Sequence, residues 1–396
     1  MNASICRPIT RHSCRRTTAL VRQGFLGIAV PKNLALPELE LNTSPIHGRR
    51  LMHHTPWLSS SLKRVRIRKT SGPARPEHIL PPTSILRTAY KSGALTIAPE
   101  KVLEFLQEFH TQSLVNTPGW ERTVCLDHDI DPWTLGIIAG ILDKCESPNQ
   151  KRFGRDLLFT AASFGDLASN FNLVYAATKQ GRLDDVTQPL QQVGLLAKTG
   201  HDPQAMTLLG MALFSQRKED DALVWLRKAS AGFLDFPGAA DALVLEGRIL
   251  MSYDKKGAMA VFQRAADELD DPNAYFYLSK LQPPGSATHE MYLAKAAASG
   301  VLEACHNLGA LELAKINKRV QKPKSMDDYG LARDWTEVAA VGGFGLSLLN
   351  MALMCRNVGL RAQGLVWLQK AEKDAKVRDE VQAWRQRWKS EDTLRG

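Results

Sequence analysis

Seven alanines set the strongest constraint on this chain. Each closes a long apolar run, and a glycine or its substitute follows three residues later. They are Ala162 (AASFGD), Ala197 (LAKTGH), Ala229 (KASAGF), Ala265 (RAADEL), Ala297 (KAAASG), Ala339 (EVAAVGG) and Ala371 (KAEKDA), at intervals of 35, 32, 36, 32, 42 and 32 residues. A period of that length repeats one helical hairpin, because a hairpin cannot bury its apolar face until a neighbour stacks on it. No run of four to eight β-branched residues alternates with polar ones, so the body is expected to be all-α.

The residues around each alanine fit a hairpin. A bulky side chain precedes it in the second helix: Trp225, Phe262, Tyr292, Trp335 and Trp367. After the junction, a first helix carries a small residue at its middle: Gly210, Gly247 and Gly309. The small residue lets two helices approach, and the aromatic is expected to fill the core toward the next hairpin. Gly232 and Gly300 are junction residues in this reading, and Glu268 takes the glycine's place after Ala265. Ahead of the array, Thr96 is a candidate cap, with Val102, Leu103, Leu106 and Phe109 following on one face.

The units resemble Sel1-like repeats, close relatives of tetratricopeptide repeats. Asp221–Gly232, Tyr292–Leu313 and Gly364–Glu372 carry the match best, and it covers roughly residues 155–375. The chain departs from the pattern at Glu268. It also departs in the longer unit before Ala339, whose extra residues are expected in the loop Asn317–Asp328. The resemblance implies a right-handed α-solenoid acting as scaffold or adaptor, with a partner held against its first helices. Exposed positions on those helices, Gln204, Thr207, Glu303, His306 and Glu312, are the candidate partner groove; the plain alternative is solvated surface.

Charge is distributed unevenly. The chain has 396 residues and a net charge of +10. Residues 1–82 hold 14 Lys and Arg against three acids, so the remaining 314 carry a net −1. A body that holds nucleic acid by overall charge is therefore excluded as the simple reading. Residues 1–37 contain no acid and carry Arg7, Arg11, Arg15, Arg16 and Arg22 among Ser, Thr and Ala. That composition describes a mitochondrial presequence. Further on, Lys63, Arg64, Arg66, Arg68 and Lys69 alternate partly with Leu62, Val65 and Ile67. This run suits anionic lipid head groups or RNA, or is simply solvated. The expected organisation is a presequence over 1–50, a basic linker over 51–84, a helical extension over 85–154 and the repeats over 155–388.

A narrower resemblance rests on the order of elements: a basic leader, helices near Pro99–Gln112 and Thr134–Lys144, then repeats with AAASGVLEACHNLGALEL at Ala296–Leu313. It is similar to a family of fungal mitochondrial tetratricopeptide proteins that assist export of the C-terminal domain of cytochrome c oxidase subunit 2. That resemblance implies a peripheral protein on the matrix side of the inner membrane. Its partners would be a mitochondrially encoded subunit and the insertion machinery.

Signs of chemistry are sparse. There is no GxxxxGK[ST], GxSxG or HExxH, and no GxGxxG after a strand. The six cysteines include no CxxC and read as buried small hydrophobes. His128-Asp-Ile-Asp131 could ligate a metal, but Pro132-Trp133 after it points to a helix start with Asp129 or Asp131 as cap. No catalytic residue, metal or cofactor is expected, and the protein reads as a non-enzyme. An RNA-binding helical-repeat protein is the alternative, although the neutral body argues against nucleic acid as a partner.

Overall fold

The computed structural model describes residues 79–115, 118–318 and 321–393. Eighteen α-helices run through these residues, with no strand among them. Contacts divide the chain into an N-terminal unit ending at Leu269 and a C-terminal unit beginning at Asp270. Both are arrays of helical hairpins, of the all-α repeat-solenoid class. The leader arginines 7, 11, 15, 16 and 22 and the basic run 63–69 lie outside the described residues.

The N-terminal unit opens with α1 (Thr83–Lys91), α2 (Pro99–Val115) and α3 (Trp120–Asp127). Leu86, Phe105 and Phe109 are buried here; Phe109 meets Trp120 at 4.6 Å and Phe153 at 6.1 Å between ring centroids. Thr96 does not cap α2. The helix begins three residues later at Pro99, whose fixed φ suits a first helical position.

Four hairpins follow: α4 (Pro132–Asp143) with α5 (Pro148–Ser163), α6 (Leu167–Gln180) with α7 (Thr187–Thr199), α8 (Pro203–Ser215) with α9 (Glu219–Ser230), and α10 (Ala239–Leu250) with α11 (Lys255–Leu269). The C-terminal unit holds three more: α12 (Pro272–Lys280) with α13 (Ala287–Ala298), α14 (Leu302–Asn317) with α15 (Leu331–Val341), and α16 (Gly345–Asn357) with α17 (Arg361–Ala371). The last helix, α18 (Arg378–Thr393), places its buried Trp388 against Gly364 of α17. Residue 155 falls inside α5 rather than at a boundary, because Gly154 sits against Leu142 and the Ala139 carbonyl of α4. The hairpin pattern therefore starts at α4, before the expected residue 155.

All seven periodic alanines are buried near the end of a second helix. The aromatics behave otherwise. Phe262 is fully buried, but Trp225, Tyr292, Trp335 and Trp367 are half-buried. The core position is three residues before the alanine, or four before Ala297, and holds Leu226, Phe262, Leu293, Thr336 and Leu368. The tryptophans sit one residue earlier, turned 100° toward solvent. Lys228 Nζ lies 4.6 Å above Trp225, and Lys370 Nζ lies 4.5 Å above Trp367. Such amphipathic stacking keeps a large ring half wet at little cost.

The inserted side chain meets the first helix's small residue. A Cβ on Gly210 would stand 2.8 Å from Leu226, and one on Gly247 would stand 2.5 Å from the Phe262 ring. Gly309 faces Thr336 in the same way. Five residues earlier in each first helix is a second fully buried small residue: Ala205, Ala242, Ala274, Ala304 and Ser347.

The junctions depend on left-handed backbone. Gly165, Gly300 and Gly343 provide it at φ 97, 89 and 89, and His201 at φ 52. Glu268 does not take a glycine's place, because α11 continues to Leu269 and Asp270 adopts φ 50 instead. Gly232 has no such conformation; it lies exposed in a longer loop, and its carbonyl accepts from Arg264 Nη2 at 3.2 Å. The extra residues of the longest unit follow α14, as expected, and end in a 3-10 turn that buries Tyr329.

Candidate functional site

Four first helices begin on an aspartate cap. Asp131, Asp166, Asp202 and Asp271 accept from the amides of Thr134, Ser169, Ala205 and Ala274 at 2.7, 2.8, 2.6 and 2.9 Å. Each satisfies an amide that would otherwise lack a partner at a helix N-terminus. In three of them Pro follows the cap: Asp131-Pro-Trp, Asp202-Pro-Gln and Asp271-Pro-Asn. This fixes the phase of the helix, so the residue after the proline takes an equivalent place. Trp133 there is exposed, Gln204 half-buried and Asn273 exposed.

In the N-terminal unit, α6, α8 and α10 enclose a cleft of about 190 Å³. Phe171, Asn172 and Tyr175 come from α6, and Gln204, Thr207 and Met211 from α8. Gly238 and Asp241, at the start of α10, close the third side. Asp241 Oδ1 accepts from Lys179 Nζ at 3.3 Å, and that ammonium lies 5.1 Å from the centre of the Tyr175 ring. The ion pair spans α6 and α10 beside the cleft. The side-chain carboxamides of Asn172 and Gln204 make no hydrogen bond to the protein among the described residues.

Gln204 and Thr207 thus share one cleft, but Thr207 is buried rather than exposed. Its hydroxyl donates to the Pro203 carbonyl at 2.9 Å, and its methyl packs toward Gly238. It forms floor, not rim. The reason is that α10 enters close over it on the long loop after α9.

Glu303, His306 and Glu312 lie on α14 in the C-terminal unit, where polar groups already have partners. Glu303 accepts from Lys280 Nζ at 3.2 Å, and Glu312 accepts from Lys315 Nζ at 2.8 Å. His306 is also buried rather than exposed. Its Nδ1 pairs with Ser347 Oγ at 2.8 Å, and its ring lies 4.9 Å from that of Phe344. Ser347 occupies the small-residue position of α16, and the pair pins α14 to α16. Burial pushes the imidazole down to about 4, with Glu303 opposing. A fully buried hydroxyl next to so weak a base is no nucleophile with general base.

His128 likewise finds a structural partner: its Nε2 lies 2.8 Å from Glu108 of α2. Asp131 is the cap, as the following proline indicates. Among the described residues no group of three or more His, Cys, Asp or Glu could hold a metal ion. No described helix is long and apolar enough to cross a membrane.

Sequence reasoning missed Phe171, Asn172, Tyr175 and Asp241. The Asp-Pro recurrence was a signal that could have fixed the phase of the first helices. Nothing in the sequence shows that α10 approaches α6 closely enough for Asp241 to reach Lys179, 62 residues away.

No family model matches the chain, and no curated protein matches it. Among solved structures, the chain is similar to c5321, a protective antigen of uropathogenic Escherichia coli strains displaying an SLR fold. The identity is 17%, the match covers 76% of this chain and 64% of the antigen, and the TM-score is 0.43. It is also similar to a Sel1 repeat protein from Oxalobacter formigenes, at 17% identity and a TM-score of 0.41, over 66% of this chain and 100% of that one.

Proposed function

We propose that the protein is a non-enzymatic adaptor that holds a polypeptide partner on the first-helix face of its hairpins. The observation that carries this reading is the cleft between α6, α8 and α10, walled by aromatic rings and carrying two carboxamides without internal partners. A preformed groove of that kind binds by many modest contacts and loses little conformational freedom on binding.

The finer reading rests on the sequence. The acid-free leader suits the mitochondrion, and the order of elements suits assistance to export or assembly of the C-terminal domain of cytochrome c oxidase subunit 2. The protein would act from the matrix side of the inner membrane, peripherally, beside the insertion machinery. Proximity labelling with the full-length protein, followed by carbonate extraction of mitochondria, tests both parts. Labelled subunit 2 and insertase components are expected, with the protein itself stripped by carbonate. Labelling of ribosomal or transcript-processing proteins would instead favour an RNA-binding role, and a protein absent from mitochondria would remove the finer reading altogether.

A further inference from the structure

We propose that the outward face of α5, where the basic linker joins the folded body, docks on an anionic lipid bilayer. This rests on the peripheral reading above and names the body's own contact with the membrane. Three cations of α5, Lys151, Arg152 and Arg155, are exposed, and none pairs with a carboxylate among the described residues. Other second helices use their arginines inside the fold. Arg227 of α9 donates to Glu246 at 3.1 Å. Arg264 of α11 donates to Glu268 at 2.9 Å and to the Ser230 carbonyl at 2.6 Å.

The three cations stand where the helix itself gains nothing from them. The helix dipole favours acids near the start and cations near the end. α9 follows that rule, with Glu219, Asp220 and Asp221 in its first turn and Arg227 and Lys228 in its last. α5 reverses it: its first turn holds no acid, Lys151 and Arg152 follow directly, and its last turn holds no cation. Lys151 and Arg155 repel each other four residues apart, as do Arg152 and Arg155 three apart. Residues 144–156 hold Lys144 and these three against Glu146 and Asp156, four cations to two acids. The arrangement fits a counter-charge supplied from outside.

The chain brings its basic linker to the same place. Gln150, buried next to Lys151, donates from Nε2 to the Leu80 carbonyl at 2.5 Å. Lys69 lies ten residues before Ile79, so the run Lys63–Lys69 ends within ~35 Å of that anchor. Two cationic elements tethered at one point reinforce each other on a shared surface.

Apolar residues decide between lipid and nucleic acid. Leu62, Val65 and Ile67 alternate with the linker cations and suit the boundary between head groups and acyl chains. Single-stranded nucleic acid stacks its bases on exposed rings. α5 offers none, because Phe153 is buried and Phe159 packs half-buried against the core. As the second helix of its hairpin, α5 also docks without using the first-helix face that bears the cleft.

The test titrates the full-length protein with phosphatidylcholine vesicles containing about 20 mol % phosphatidylglycerol, at about 0.1 M salt, and reads binding by sedimentation. The triple variant Lys151→Gln, Arg152→Gln, Arg155→Gln is expected to weaken partitioning at least tenfold, since each cation near such a surface contributes about fivefold. The charge-keeping triple Lys151→Arg, Arg152→Lys, Arg155→Lys should bind like the parent. The glutamine triple should melt at or above the parent, which separates lost docking from a lost fold. Amine acetylation read by mass spectrometry should show Lys151 protected by the vesicles and Lys179, paired at the cleft, unchanged. A glutamine triple that partitions like the parent, or a Lys151 that stays reactive on vesicles, would overturn the α5 assignment. The adaptor reading would survive that result, because proximity labelling tests it separately. Single-stranded RNA that binds more tightly than the vesicles through the same three residues would overturn lipid as the occupant.

Discussion

Gly247 and Phe262 show how one residue sets the spacing of a hairpin. The ring fills the space that any Cβ on Gly247 would need, and it is fully buried with nowhere to turn. Gly247→Ala is expected to destabilise the protein by about 1–3 kcal/mol, the usual cost of overpacking. Adding Phe262→Leu should recover part of that loss, since Leu226 fills the equivalent place opposite Gly210. Denaturant melts of the two single variants and the double form a cycle, and strict additivity would show that the two residues do not share the space. His306 gives a second test. Its folded pKa is about 4 against 6.5 when free, so the fold excludes a proton that the unfolded chain accepts. Its contribution is present above pH 6.5 and is lost as the pH falls toward 4, at up to about 1.4 kcal/mol per pH unit. His306→Gln should flatten stability against pH in that window, and an unchanged slope would contradict the burial. The sequence shows the glycines and the alanine period, but it does not show which residue before the alanine turns inward. A tryptophan looks like core by size. Its place one residue off the inward position, under a lysine three residues later, is a matter of phase within a helix that composition does not reveal.

The phase of an element is set at its ends. Asp202 holds the Ala205 amide at 2.6 Å, and the Pro203 after it fixes the first turn. Gln204 and Thr207 take their places from that start. Asp202→Ala is expected to cost about 1 kcal/mol of stability, as a lost N-cap does. Asp202→Asn should cost far less, and chemical denaturation compares the two. This part of the site was legible, because Asp-Pro recurs before α4, α8 and α12. The C-terminal end was less so. α18 is polar on average, and only Val381, Trp384 and Trp388, spaced along one face, mark it as a packed helix rather than a solvated tail. The Trp388 indole occupies the space beside Gly364, so Trp388→Ala should cost about 3–5 kcal/mol as a buried aromatic deletion. Melting of the variant should fall well below that of Trp384→Ala, whose ring is only half-buried. The hairpin α4/α5 was hidden for a different reason. Its close-approach glycine lies in the second helix, at Gly154, where the repeat pattern places it in the first.

At the scale of the whole molecule, charge and apolar surface are separated along the chain. The first 82 residues carry +11 and the rest carry −1. The strongest attraction to an anionic membrane surface is therefore expected from the leader and the linker. Lys63, Arg64, Arg66, Arg68 and Lys69 are the densest part, and each cation near such a surface is worth about 1 kcal/mol. The full chain is expected to sediment with vesicles containing anionic lipid and to be released by roughly 0.5 M salt, where the Debye length falls to several ångströms. Replacing those five residues by glutamine should abolish most of the binding, while neutral vesicles should retain none in either case. Binding that survives the five substitutions and the salt would point to apolar contact instead. The described surface offers one: Leu331, Val338 and Val341 of α15 are exposed at 59, 49 and 74%. In that event Val338→Lys should reduce binding where the five substitutions did not. The two results assign the membrane contact to opposite ends of the sequence, one electrostatic and one hydrophobic, and the salt dependence alone separates them.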